Sequence, residues 1–326
     1  MNNTMKFSIS ETNNGERLDI FLSKKIKGLT RSFIKKIINK KEVKINNIIT
    51  CSPSKKLKLN DIVLINVVEK TENKLKPKKI KLEVSYEDED LLIINKQKGM
   101  VVHPGAGNYE NTLANALAYK YKNNLSNING KLRPGIVHRI DKETSGLLVI
   151  AKNNFTHSQL SKQFIDHSIR RKYICLIWGV IRPLNGRIQT LISRNRKNRQ
   201  LMTVSDIRGK KATTNYRTIK VFTNKDIPKI SLIECELETG RTHQIRVHMN
   251  YKGNSVLGDD KYKKKYKKLK NIDLDLQNSI SKLKRQFLHA KTLGFTHPST
   301  KKPMTFSSLL PKDLSNILKK LRNTEK

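Results

Sequence analysis

Apolar residues recur at helical spacing twice near the start of the chain, at Leu18, Phe21, Leu22 and Ile26, then at Phe33, Ile34, Ile37 and Ile38. Thr30 stands where a helix N-cap belongs. Two consecutive helices are predicted, followed by a strand at Val43–Ile45, an Asn46-Asn47 turn and a strand at Ile62–Val68. Between the apolar stripes lie Lys24, Lys25, Arg31, Lys35, Lys36, Lys40 and Lys41, so this small αβ module has one very basic face. The stretch Glu69–Ile80 is charged, contains one proline and few apolar residues, and reads as a linker.

Beyond it the pattern is mostly extended. Strands are predicted at Val84–Tyr86 and Leu91–Ile94, around the acidic turn Glu87–Asp90, which reads as a solvated hairpin rather than a metal site. Further strands fall at Ile174–Ile181, Gly186–Ile192, Thr213–Val221, Ile230–Leu237 and Phe287–Ala290. Helices are predicted at Thr112–Lys120, Ser158–Ile165 and Lys312–Leu321. The segment 261–285, with the lysine cluster Lys261–Lys268, reads as a basic surface insertion.

Two polar knots interrupt this pattern. In the first, Ile136–Val137 and Leu147–Ala151 bracket His138-Arg139-Ile140-Asp141-Lys142-Glu143-Thr144-Ser145-Gly146. Period-2 alternation puts Arg139 and Asp141 on one surface, with His138 and Ile140 on the other. That arrangement suits a carboxylate held at a cleft edge, and equally an ion-paired turn. In the second, Glu238–His248, Gly240 breaks a strand and Thr239 or Thr242 is placed to cap a short helix over Gln244–Asn250. His243, Arg246 and Asn250 then share a face. Tyr173, at the mouth of a strand, shares a face with Cys175 and Ile177; the pattern alone favours a core role over a ring presented to a base.

Charge changes the picture. Against 27 acidic residues stand 67 Lys and Arg, a formal +40, which implies a polyanionic partner, nucleic acid first. No signal core or 18-residue apolar run points to a membrane. Three separated cysteines, Cys51, Cys175 and Cys235, fit a reduced, cytoplasmic protein without a zinc site. The Gly99–Gly107 loop is not a phosphate-binding P-loop, and no dinucleotide fingerprint opens a helix, so no cofactor is expected.

Arg17-Leu-Asp19, Thr30–Ile34, Ile37 and Val43–Asn46 resemble the S4-type RNA-binding module. The larger part of the chain resembles the RluA family of pseudouridine synthases, through about residue 320. The matching blocks are Tyr86–Asp90, Ile93–Lys96, Val101–Gly107, Gly135–Lys142 with Thr144–Gly146, Arg171–Tyr173, Leu237–His248, Gly258-Asp259, and Gln286 with Leu288–Ala290. The Val101–Gly107 loop and the fused N-terminal module are most like the synthase D subgroup, which modifies large-subunit ribosomal RNA. Ile140 stands where the family usually has leucine, a swap of similar volume. Tyr262 is followed by lysines where a Tyr-Gly turn is usual.

The resemblance implies an α+β protein: a small S4-like domain (16–68) after an N-terminal extension (1–15), a linker (69–80), and a catalytic domain (81–326) on a mixed, largely antiparallel sheet. It implies a cofactor-free enzyme that detaches uracil from its ribose, turns it and rejoins it through carbon. Asp141 matches the catalytic aspartate, which attacks the ribose C1′ or draws off the 2′ proton; both routes stay open. Arg246 matches the arginine pairing with that carboxylate, and Tyr173 the ring that stacks on the target base. Arg139 matches the residue filling the gap when the uridine flips out. His138, Thr144, Arg241 and His243 are expected to bind substrate. The expected partner is ribosomal RNA or an assembling large subunit, and the expected state a monomer. An RNA-binding assembly factor without turnover is the alternative, opposed by the intact Asp141, Tyr173 and Arg246 set; a glycoside hydrolase using Asp141 and Glu143 leaves the charge without a purpose.

Overall fold

A computed structural model describes residues 2–26, 29–68, 75–105, 107–122, 124–224, 227–262 and 274–323. The chain divides into two units, Met1–Asn73 and Lys74–Lys326. Part of the proposed linker (69–74) and most of the lysine cluster (263–268) lie outside the described residues.

The first unit contains strand β1 (Asn2–Ser8), helices α1 (Leu18–Lys25) and α2 (Arg31–Asn39), and strands β2 (Val43–Ile45), β3 (Ile48–Ile49) and β4 (Ile62–Val68). Both helices form where the apolar stripes predicted them, and Thr30 Oγ1 accepts from Phe33 N–H as the α2 cap. Leu18, Leu22, Ile34 and Ile38 are fully buried against Val43, Val63 and Ile65 of the sheet. The sheet order is β1-β4-β2-β3, all antiparallel. Residues 2–8, set apart in sequence as an extension, therefore belong to this sheet. Phe7 and Met5 pack on its core, a contact that local periodicity does not reveal.

The second unit opens with β5 (Val84–Glu87) and β6 (Leu91–Lys96), then α3 (Leu113–Tyr121), β7 (Ser145–Ala151), α4 (Asn154–Ile165) and β8 (Arg170–Trp178). It continues with β9 (Asn185–Arg194), β10 (Met202–Ser205), β11 (Lys210–Asn224), β12 (Ile227–Leu237) and α5 (Gln244–Tyr251). It ends with α6 (Leu274–Leu283), β13 (Leu288–Thr296), β14 (Pro303–Ser307) and α7 (Lys312–Asn323). The sheet runs β10-β9-β11-β12-β8-β13-β7-β6-β5, with β14 also paired to β13. Among the described residues its pairs are antiparallel except β7–β13, so it is mixed and largely antiparallel.

Both faces of the sheet's centre are covered, which explains why its strands read as continuous apolar runs. Along β8, Tyr173, Cys175 and Ile177 point to the core beneath α3 and α5, while Ile174, Leu176 and Trp178 point to the core beneath α6 and α7. Burial pushes both core thiols, Cys175 and Cys235, upward. Residues 75–80 are tied to α3, where Asn115 Nδ2 donates to the Lys76 carbonyl and Lys78 N–H to the Asn115 carbonyl. Among the described residues no helix is long and apolar enough to cross a membrane.

Candidate active site

The first knot differs from a continuous strand. Residues 137–141 hold no ladder, and the first strand-like run contributes a single bridge, Ile136 to Ile150. Alternation persists without the ladder because Ile140 is buried in the core, which turns Arg139 and Asp141 outward to one cleft. Asp141 sits in a tight turn closed by Thr144 N–H donating to its carbonyl. The chain then enters β7 through Gly146, whose φ of +117° and contact with the Ala290 backbone leave no room for a side chain.

Behind this turn lies a buried polar support. Lys96 Nζ donates to the Lys142 carbonyl at 3.0 Å, Arg285 Nη1 to the Glu143 carbonyl at 3.0 Å, and Gln286 Nε2 to Thr144 Oγ1 at 3.0 Å. Lys96 also reaches the carbonyls of Gln97 and Met100, so three acceptors surround one ammonium. Burial pushes its pKa down to about 7, with Glu143 and Asp141 pulling upward. The carbonyls of this turn are thus fixed from behind while the Asp141 side chain stays partly exposed.

The second knot supplies the cation. Neither Thr239 nor Thr242 caps α5; the N-cap is His243, in a left-handed conformation at φ 57°. The side chain of Gln244 orders the entrance instead. Its Oε1 accepts from Arg241 N–H and Thr239 Oγ1, and its Nε2 donates to the Thr213 carbonyl and Thr214 Oγ1. Long-range bonds to β11 therefore displace the local cap that composition suggested.

Two residues further on, Arg246 bridges two carboxylates. Nη1 donates to Asp141 Oδ2 at 3.2 Å, while Nε and Nη2 make a bidentate pair with Asp259 at 2.6 and 2.9 Å. Burial alone lowers the pKa of Arg246; Asp259 above all, and then Asp141, more than reverse that, so it remains a cation. The Tyr262 ring lies 5.0 Å from the guanidinium, and its hydroxyl accepts from Met202 N–H and hydrogen-bonds His243 Nδ1 at 2.8 Å.

The cleft brings together Arg139, Asp141, Thr144, Tyr173, Arg241, His243 and Arg246. Tyr173 is buried, and burial raises its phenol pKa, opposed by the Arg171 guanidinium. His138 is the expected site residue absent from this wall. Its Nε2 accepts from Val149 N–H, its ring packs on Phe164, and burial pushes its pKa down to about 3. Asp259, Tyr262 and Arg171 join the site without a role that the sequence pattern predicts. Asp259 and Arg171 stood inside matching blocks, and that was their only signal, because their partners are distant in sequence.

The cleft is open to solvent on one side and holds about 50 Å³ accessible to water-sized molecules. Chemically the site offers an accessible carboxylate with a fixed countercharge, beside an aromatic ring. Among the described residues no His, Cys, Asp and Glu cluster is arranged to hold a metal ion.

Comparison with known proteins gives a consistent picture. The RNA pseudouridylate synthase family model matches residues 90–251, and the S4 domain model residues 16–63. The chain is 44% identical to "Ribosomal large subunit pseudouridine synthase D" of Zymomonas mobilis, covering 98% of each. It is 38% identical to "Uncharacterized RNA pseudouridine synthase YlyB" of Bacillus subtilis, over 98% of this chain and 99% of that one. Among solved structures, human RNA pseudouridylate synthase domain containing 4 superposes with a TM-score of 0.55 at 24% identity, covering 74% of this chain and 93% of that one.

Proposed function

This chain belongs to the RNA pseudouridylate synthase family and is an RNA pseudouridine synthase with an S4 domain; on that footing we propose that it isomerises specific uridines of large-subunit ribosomal RNA. The carrying observation is the carboxylate of Asp141 on the cleft wall, paired with Arg246 and set beside Tyr173. The ribosomal substrate is supported by the name of the Zymomonas relative.

In the proposed reaction the target uridine leaves its stack, at a cost of a few kcal/mol. Stacking on Tyr173 offsets about 1–3 kcal/mol of it. Arg139, exposed and without a hydrogen bond or ion pair among the described residues, is free to take the vacated space in the RNA. Asp141 then attacks C1′ or draws off the 2′ proton, and Arg246 Nη1, 3.2 Å away, orients the carboxylate for either route. Thr144, Arg241 and His243 line the pocket around the base and ribose, and His138 acts as support behind Arg139. The proposed setting is the cytoplasm, on ribosomal RNA or an assembling subunit, with the chain acting as a monomer.

The test is a pseudouridine map of ribosomal RNA from cells carrying the wild-type chain or Asp141→Ala. Loss of one or more large-subunit pseudouridines is expected. An unchanged map sinks the proposal. In vitro, Asp141→Ala should keep RNA affinity within about threefold while product formation disappears, since an aspartate contributes no phosphate contact.

A further inference from the structure

Arg139 also lines a second cavity of about 330 Å³, within the usual range of ligand sites of about 300–1,000 Å³. Arg139, Arg171, Gly240 and Arg241 belong to the walls of both spaces, so the two are contiguous. The second cavity also takes in Arg133, His103 and Phe164, and no carboxylate lines it.

Arg171 is the unusual member. Its residue is 7% exposed, and it makes no ion pair among the described residues. Nη2 donates to the carbonyls of Leu237 and Glu238 at 3.2 and 2.9 Å, the guanidinium packs 5.1 Å from the Phe164 ring, and Nε has no acceptor. Gly240 permits this position, because a Cβ there falls 2.8 Å from Arg171 Nη1. A buried cation with only neutral partners is expensive, and proteins ordinarily pair it. Arg133 and Arg139, both exposed, also lack a carboxylate partner among the described residues. His103 adds no charge, its pKa being pushed down to about 4 by burial and by these arginines.

We propose that this cavity is a phosphodiester subsite, in which Arg171 and Arg133 hold the backbone phosphate adjoining the isomerised uridine. The proposal rests on RNA being the substrate. The missing countercharge arrives with the substrate, and arginine's planar fork suits phosphate oxygens.

The experiment uses the full chain and an adenosine pentanucleotide with one central uridine. Each linkage is replaced in turn by a neutral methylphosphonate, and affinity is read by fluorescence anisotropy. Arg133→Ala should weaken binding of the unmodified RNA about threefold to tenfold and reduce the salt slope by about 0.7, the value for one phosphate on a single strand. Neutralising one of the two linkages flanking the uridine should abolish that effect, so the two changes are not additive. Arg171→Gln should behave alike, and the exposed Arg133 keeps the test valid if that variant fails to fold. Lys301→Ala, on an exposed residue outside both cavities, should combine additively with every linkage. Additivity of Arg133→Ala with all linkages, or no effect on binding, overturns the subsite. Pseudouridine formation by the wild-type chain on ribosomal RNA is scored separately: additivity with intact turnover rejects the subsite alone, whereas coupling without turnover rejects the proposed function alone.

Discussion

The arrangement of Arg246 decides what kind of carboxylate Asp141 is. Two of the arginine's donors are committed to Asp259, whose side chain is fully buried, and one reaches Asp141. Asp259 thus anchors the cation, and Asp141 receives a shared rather than a full countercharge. Asp259→Ala leaves the guanidinium with one partly exposed partner, and breaking such a pair should destabilise the fold by about 3–5 kcal/mol in urea titrations. Asp259→Asn keeps the shape but lets Arg246 turn toward Asp141; turnover should fall about tenfold, equivalent to about 1.4 kcal/mol, with RNA affinity little changed. That Asp141, Arg246, Tyr173 and Arg139 line one cleft was suggested by the family resemblance of their compact motifs, whereas pattern alone left Asp141 equally an ion-paired turn and Tyr173 in the core. Asp259 had only its block with Gly258, since what matters is a contact made across a turn.

Elements place these residues through contacts that local pattern does not contain. The α5 entrance is ordered by Gln244 against β11, and Arg246 lies half a turn further on. Gln244→Ala leaves buried partners unsatisfied, and should cost about 2–3 kcal/mol while lowering turnover more than RNA affinity. At the start of β7, Gly146→Ala puts a methyl group into the Ala290 backbone, and a loss on the order of 3–4 kcal/mol in urea is expected. The acidic turn Glu87–Asp90 illustrates the difference between pattern and context. It is the predicted hairpin, yet it is also a hub: Asp88 accepts from Tyr86 Oη and pairs with His297, and Asp90 accepts from Asn153 and Thr156 at the start of α4.

At the scale of the molecule, each unit contains an arginine-held carboxylate. Burial would raise the pKa of Asp19 and of Asp313, but Arg17 with Arg31, and Arg285 with Lys98, bring both from 3.8 to about 2. A depressed folded-state pKa contributes stability that is present above about 4 and is lost as pH falls toward 2. After discounting for the exposed cations, each contributes about 1–2 kcal/mol. Urea midpoints should therefore drop between pH 4 and 2, and the double variant Asp19→Asn, Asp313→Asn should flatten that drop; an unaltered slope contradicts the assignment. Sequence by itself determined the two-part organisation, the helices and central strands, the polyanion partner and the two polar knots. Those follow from periodicity, charge and short motifs, all local quantities. Tertiary structure alone decided that residues 2–8 complete the first sheet, that Gln244 rather than a threonine orders α5, and that Asp259 holds Arg246. It also left Arg171 buried without an acid. The first three are pairings made only in the folded chain and the last is a pairing the fold withholds, and no local pattern carries that information.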